Sequence, residues 1–344
     1  MKAAFIQEHG NLDKIQIGDL DAPTISPNEV LIETKFGALN HLDIFVVRGW
    51  PGLTLNMPHV IGADGSGIVK EIGSEVTTLS VGDKITINPG ISCGKCEMCL
   101  SGQQVFCKQF SILGENKWGT FAQYLKLPEI SVLKIPDGFS MEKAAAAPLT
   151  FLTAWRMLIT QAGIKPNEFV FIHGAGGGVS SAAIQIAKYY GAKVITTTST
   201  SRKIEMAMNL GADHVINYKE TKDYRNQVYE LTNNHGIDVV IDNVGQATFP
   251  TSIRLLRPGG RLITCGVTSG PISKINIADI FWKQLEIKGS TMATQGEFRA
   301  VMQLVLDGTL NPIIDKVFPL ENVREAEEYL SDGNQFGKVL IKVS

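Results

Sequence analysis

Apolar and polar positions divide the chain into two textures. Up to about residue 140, short runs rich in β-branched and aromatic residues recur between turn signals, at 2–7, 29–36, 67–72, 83–87 and 121–127. They predict a partly antiparallel β domain. Near Met141 the pattern changes to K-A-A-A-A-P-L-T-F-L-T-A-W-R-M-L, which predicts a helix interrupted or restarted at Pro148. Beyond it, predicted strands at 169–172, 193–198, 214–216, 238–242, 261–265 and 285–289 alternate with helical segments and are apolar on both faces. Such alternation specifies a parallel sheet covered by helices, so the predicted fold class is α/β. A helix is expected near 296–306, and the closing G-K-V-L-I-K-V reads as a strand returning to the first domain.

Within the second texture, E-F-V-F-I-H-G-A-G-G-G-V-S-S-A-A-I-Q-I-A-K-Y-Y, from Glu168 to Tyr190, reads as strand, tight loop and helix. Gly174, Ala175, Gly176, Gly177, Gly178 and Val179 let the backbone approach a pyrophosphate, which the free N–H groups and dipole of the helix start would neutralise. A position directly after the first strand turns this glycine-rich loop into a dinucleotide signature. The second strand ends V-I-T-T-T-S-T-S-R-K, without the acid that an NAD-specific fold sets on the ribose 2′-OH. Hydroxyls at Thr198, Ser199 and Ser201 and cations at Arg202 and Lys203 suit a 2′-phosphate, so NADP(H) is the expected cofactor. Asn243, Val244, Cys265, Gly266 and Val267 follow later strands and are expected to line the nicotinamide half, because ligands collect at that edge of the sheet. Cys265 is read as a small buried side chain rather than a nucleophile.

A chain of 344 residues, 44% hydrophobic, is long enough for two cores. A net charge of -2 gives no positive excess for nucleic acid or an anionic membrane surface, and no stretch approaches a membrane span. Met1 leads straight into K-A-A-F-I-Q-E, without an apolar leader, so a cytoplasmic protein with a small-molecule partner is expected. Cys93, Cys96, Cys99 and Cys107, spaced C-x2-C-x2-C-x7-C, supply four thiolates to one short lobe. That is enough to close a tetrahedral structural zinc site, with Gly94 and Gly102 permitting the turns and Lys95 and Lys108 offsetting the charge.

Taken together, the β domain, the cysteine knuckle, L-G-E-N-K-W-G-T-F-A-Q-Y from Leu113, P-L-T-F-L-T-A-W from Pro148 and the glycine loop resemble the medium-chain dehydrogenase/reductase superfamily. That family includes zinc alcohol dehydrogenases and quinone oxidoreductases. The resemblance implies a GroES-like catalytic domain from residues 1–147 and 290–344, carrying the zinc lobe at about 90–110. It implies a doubly wound Rossmann domain from 148–289 and hydride transfer in a cleft between the two. It also implies cofactor contacts from Thr153 and Tyr218 and a homodimer or homotetramer built through a strand such as 260–265 or 285–289.

The zinc-dependent members hold a catalytic zinc with a cysteine, a G-H-E histidine and glutamate, and a second cysteine. Matched residue by residue, these positions carry Asn40, then Ala63 and Asp64 after Gly62, and Leu149, so the catalytic zinc is expected to be absent. A shifted metal site of His41, Asp43, His59 and Asp64, as in an atypical zinc alcohol dehydrogenase, stays open, as does a redox sensor that binds NADPH without turnover. The A-L-N-x-x-D pattern resembles the zinc-free quinone and enoyl reductase branch. Without a Lewis acid, a conjugated acceptor is favoured, since charge arriving with the hydride spreads onto a distant oxygen. The expected reaction is therefore reduction of a quinone, enone or related conjugated carbonyl. Asn40 is the expected donor by the acceptor or nicotinamide, His41 and Asp43 are the expected orienting or proton-donating groups, and Phe45 and Trp50 are candidate walls for a flat apolar acceptor.

Overall fold

The computed structural model describes residues 1–221 and 223–344. The chain forms two compact units, Met1–Leu152 with Ala293–Ser344, and Thr153–Met292.

In the first unit, β1 (Glu29–Ala38) runs into helix α1 (His41–Arg48), and β2 (Asp64–Ile72) lies antiparallel to β1. Gly62, just before β2, has φ +99 and packs under the buried ring of Phe121. A side chain there would meet that ring at 2.5 Å as well as the strain of a left-handed backbone, so only glycine fits. The alanine-rich segment forms a helix over Met141–Ala146 and restarts at Pro148–Trp155, where proline is at home in a first turn.

The second unit opens with β3 (Phe169–Ile172), the glycine loop and α2 (Gly178–Tyr189). It continues through β4 (Lys193–Thr198), α3 (Ser201–Asn209), β5 (His214–Asn217), β6 (Ile237–Asp242), β7 (Leu256–Thr264), α4 (Ile277–Trp282) and β8 (Glu286–Gly289). All pairings are parallel, in the order β5-β4-β3-β6-β7-β8. Written by sequence rank this is 3-2-1-4-5-6, the doubly wound dinucleotide order, with its reversal beside β3. Val170, Phe171, Ile172, Val194, Ile195, Val239, Val240 and Ile241 are fully buried, as strands covered on both faces require.

The chain then returns to the first unit through the helix Gln295–Leu306, the strand Ile314–Pro319, α5 (Val323–Ser331) and β9 (Lys338–Lys342). β9 lies antiparallel to β1 with Leu340 opposite Ala38, while Ala38 lies opposite Asp64 on the other side. That register sets the end of β1, the start of β2 and the start of β9 side by side.

Candidate functional site

Those three strand ends deliver Asn40, Asp64 and Lys338 to one buried spot. The Asn40 amide donates from Nδ2 to Asp64 Oδ2 at 2.9 Å and to the Ala38 carbonyl at 3.2 Å, and its Oδ1 accepts from Lys338 Nζ at 2.6 Å. Lys338 Nζ also donates to Asp64 Oδ2 at 3.0 Å and to the Leu39 carbonyl at 2.6 Å. The remaining oxygen of Asp64, Oδ1, accepts the Leu149 N–H at 2.7 Å. Lys338 and Asp64 are 4% and 0% exposed, so each charge depends on the other. The three donors of the ammonium and both amide N–H groups are therefore spent inside the cluster.

This geometry corrects one expectation. Asn40 has no N–H left for an acceptor oxygen or a nicotinamide, because the buried Asp64–Lys338 pair claims its amide. The residues at the family's catalytic-metal positions do not fit a zinc ion: Ala63 and Leu149 offer no ligand side chain, and Asp64 is neutralised by an ammonium. The shifted set does not assemble either. His59 pairs through Nε2 with the Gly114 carbonyl at 3.1 Å, and among the described residues only the cysteines converge at ligand distance.

Asp43, at the third position of α1, accepts the Asn40 N–H on Oδ2 at 2.7 Å and is fully buried, so it orients the start of the helix. Burial pushes its carboxyl up to about 7, against the pull of the Asn40 N–H and of Lys338. His41, the first residue of α1, has no hydrogen-bond partner among the described residues. Burial, with Lys338 and Arg48, holds its imidazole below the usual range, so the ring is neutral at pH 7 and offers one N–H. Phe45 is half-buried, and Trp50 is 39% exposed.

In the second unit Gly174 takes φ +65, with open space where a side chain would stand. The loop is anchored from below by β4: Gly174 N–H donates to Thr197 Oγ1 at 3.1 Å, and Ala175 N–H to the Thr197 carbonyl at 2.8 Å. Gly178, Val179 and Ser180 begin α2, whose first N–H groups have no partner within the helix and can meet phosphate oxygens. Ser180 stands where the resemblance would set the last glycine of the loop. Its hydroxyl donates to the His173 carbonyl at 2.7 Å and accepts Asn243 Nδ2 at 3.1 Å, so it clamps the loop to the end of β6 and is not available to a phosphate.

At the end of β4, Thr198 is buried and Ser199 half-buried, while Thr200 caps α3 by accepting the Lys203 N–H. Ser201 and Arg202 are exposed, Lys203 is largely buried, and the Tyr218 N–H bonds the Thr198 carbonyl, bringing its 44%-exposed side chain to this edge. Val244, Gly266 and Val267 lie on the loops after β6 and β7, and Gly266 packs closely on the Asn243 carbonyl. Cys265 is half-buried rather than buried, and desolvation pushes its thiol up to about 12, which removes it as a thiolate. Thr153 is buried within the helix Pro148–Trp155.

The Sγ atoms of Cys93, Cys96, Cys99 and Cys107 lie within 4.8 Å of one another, with Cys93–Cys99 at 3.8 Å and Cys96–Cys99 at 3.5 Å. A tetrahedron with Zn–S bonds of about 2.3 Å has S–S edges of about 3.8 Å, so the donor set fits zinc in a closed site.

Two family models match the chain. The alcohol dehydrogenase GroES-like domain matches residues 26–137, and the zinc-binding dehydrogenase domain matches 178–307. An alcohol dehydrogenase of Geobacillus stearothermophilus is 32% identical over 347 residues, covering 100% of both chains. The chain belongs to the medium-chain dehydrogenase/reductase superfamily. Acryloyl-coenzyme A reductase of Sulfurisphaera tokodaii is 30% identical over 343 residues, 99% of this chain and 100% of the relative. The crystal structure of an NAD-dependent alcohol dehydrogenase superposes with a TM-score of 0.96 at 41% identity, covering 100% of each chain. As a medium-chain dehydrogenase/reductase, the protein is an NAD(P)H-dependent oxidoreductase. Lys338 and Glu327 escaped the sequence reading. Their signal is a charged side chain on an inward face: Lys338 opens an apolar strand, and Glu327 shares a helical stripe with Val323, Ala326 and Leu330.

Proposed function

We propose that the protein uses NADPH to reduce a quinone, an enone or a related conjugated carbonyl without a catalytic zinc. One observation carries this reading: Lys338 occupies the polar centre at the family's metal-ligand positions and satisfies Asp64 and Asn40 there. An ammonium whose donors are all spent cannot polarise a substrate oxygen as a metal would. A conjugated acceptor needs no strong Lewis acid, only a hydrogen bond where charge accumulates. When bound, a reduced nicotinamide supplies the hydride.

The chain's own residues have the following parts. In the loop from Gly174 to Val179, whose Gly174, Ala175 and Gly177 N–H groups hold the turn itself together, the N–H groups of Gly176, Gly178 and Val179 are the ones offered to the pyrophosphate. Ser199, Ser201 and Arg202 meet the 2′-phosphate, with Thr198, Lys203 and Tyr218 completing that edge. Asn243, Val244, Cys265, Gly266, Val267 and Thr153 surround the nicotinamide half. His41 offers a neutral N–H to the acceptor, while Asn40 and Asp43 fix the helix that carries it. Cys93, Cys96, Cys99 and Cys107 hold one structural zinc. The acryloyl-coenzyme A reductase relative acts, by its name, on a conjugated thioester, which agrees with this acceptor class. The exposed apolar side chains of α4 beside the edge strand β8 support a homo-oligomer.

The deciding experiment combines metal counting with stopped-flow oxidation of NADPH against quinones, enones, saturated ketones and aldehydes. One zinc per chain with turnover of conjugated acceptors is expected. Two zincs, with alcohol oxidation abolished by chelation, would overturn the proposal.

A further inference from the structure

Behind Asn40 the core holds more carboxylate than it can neutralise. Asp43, Asp64 and Glu327 are each 0% exposed, and Lys338 is the buried ammonium among them. Its donors are committed to the Leu39 carbonyl, Asn40 and Asp64. Asp43 Oδ1 and both carboxyl oxygens of Glu327 are left without a hydrogen-bond partner, on two helices, α1 and α5, that pack against each other. Other charged groups on the packed elements are turned away. Arg48, Arg324, Glu325 and Glu328 are exposed, as is Asp13, while Lys14 pairs with Glu8 and Asp315 accepts the Tyr329 hydroxyl. Orphaned acceptors in an apolar core cost more than the hydrogen bonds around them return, unless a donor is supplied. No side chain supplies one, and the Gly62 N–H reaches towards Asp43 alone, so the donor that both groups can share is a proton on one of the carboxyls themselves.

We propose that Glu327 is a positioning residue that carries a proton at neutral pH and shares it with Asp43, and that this pair fixes Asn40 and the start of α1. The Glu327 O–H meets the orphaned Asp43 Oδ1, leaving Asp43 Oδ2 to hold the Asn40 N–H. Loss of the proton sets two like charges in the core, draws Asp43 away from Asn40 and loosens the head of the helix. Electrostatics agree in direction: burial first, then Asp43, raises Glu327 well above the usual carboxylate range. In the unfolded chain both groups release their protons at ordinary carboxylate pH, whereas burial in the folded core raises both, Glu327 well above the usual range and Asp43 to about 7, so the pair keeps its shared proton above that range. Their stabilising contribution is therefore complete on the acid side and is lost as pH rises across that interval.

This inference concerns the protein's own carboxyls, so its test does not need the acceptor to be known. Infrared spectra of the whole protein between pH 6 and pH 9 should show a protonated-carboxyl stretch that fades on the alkaline side and vanishes from E327Q. In parallel, E327Q keeps a donor without a titratable group, so its melting temperature should pull ahead of the wild type by several degrees as pH rises. E327M, similar in shape but without a donor, should melt below E327Q at pH 6. Parallel melting profiles for wild type and E327Q, or equal melting of E327Q and E327M, would overturn the proposal. A wild-type spectrum with no protonated carboxyl at pH 7 would do so even if both variants failed to fold.

Discussion

The Asp64–Lys338 pair leaves each buried charge dependent on the other. Truncating either partner would strand the other's charge in the core, a change of about 3–5 kcal/mol, whereas the intact pair is close to neutral in cost. With Asn40 spent on that pair, the proposed function rests on His41 as the polar group at the head of α1 that would meet an acceptor. His41→Phe should lower kcat about a hundredfold, the usual effect of removing one hydrogen bond to developing charge, with NADPH binding unchanged in a direct titration. At the other end of the reaction, Ser199→Asp places a carboxylate where a 2′-phosphate is expected. NADPH should bind at least tenfold more weakly, since like charges in contact cost more than about 1.4 kcal/mol, while NADH is little affected. An unchanged ratio of the two affinities would remove Ser199 from the cofactor edge. None of this turns on a motif: Asn40 was visible as a departure from the metal pattern, but what it binds was not.

Elements built on local rules were the legible ones. The strands Phe169–Ile172 and Lys193–Thr198 and the glycine loop between strand and helix follow directly from apolar runs and glycine positions. So does the restart of the helix at Pro148. The cysteine lobe is similarly self-contained: its four ligands lie within one short segment, and a closed metal site can set their geometry. Cys96→Ser should lower bound zinc from one per chain towards none and open the lobe to proteolysis between residues 90 and 110, as followed by mass spectrometry. Retention of metal and protease resistance would reject the site. The Ser180 clamp belongs to the other kind of element. A serine in place of a glycine looks like a flaw in a phosphate loop, yet it joins the His173 carbonyl to Asn243, 63 residues away in the chain. Only the parallel pairing of β3 with β6 makes those partners neighbours.

Across the whole molecule, β8 leaves one edge of the parallel sheet unpaired, next to a surface where Ile272, Ile277, Phe281 and Trp282 are 58–77% exposed. An open strand edge beside apolar side chains favours self-association. Trp282→Glu should therefore shift the protein towards monomer in light scattering at low micromolar concentration, with its melting transition still cooperative. A wild type that is already monomeric would exclude this surface. Among the described residues no helix is long and apolar enough to cross a membrane. The sequence by itself determined the two textures, the glycine-rich loop, the cysteine ligand set and the side chains Asn40, Ala63, Asp64 and Leu149 that stand where the resemblance sets a catalytic metal, because periodicity and ligand spacing are local properties. Tertiary structure decided what fills that metal position. Lys338 reaches it from the far end of the chain by a register of β9 on β1, and the packing of α5 on α1 brings Glu327 towards Asp43 behind it; no local pattern encodes either. A buried charge has physical meaning only once its partners are in place.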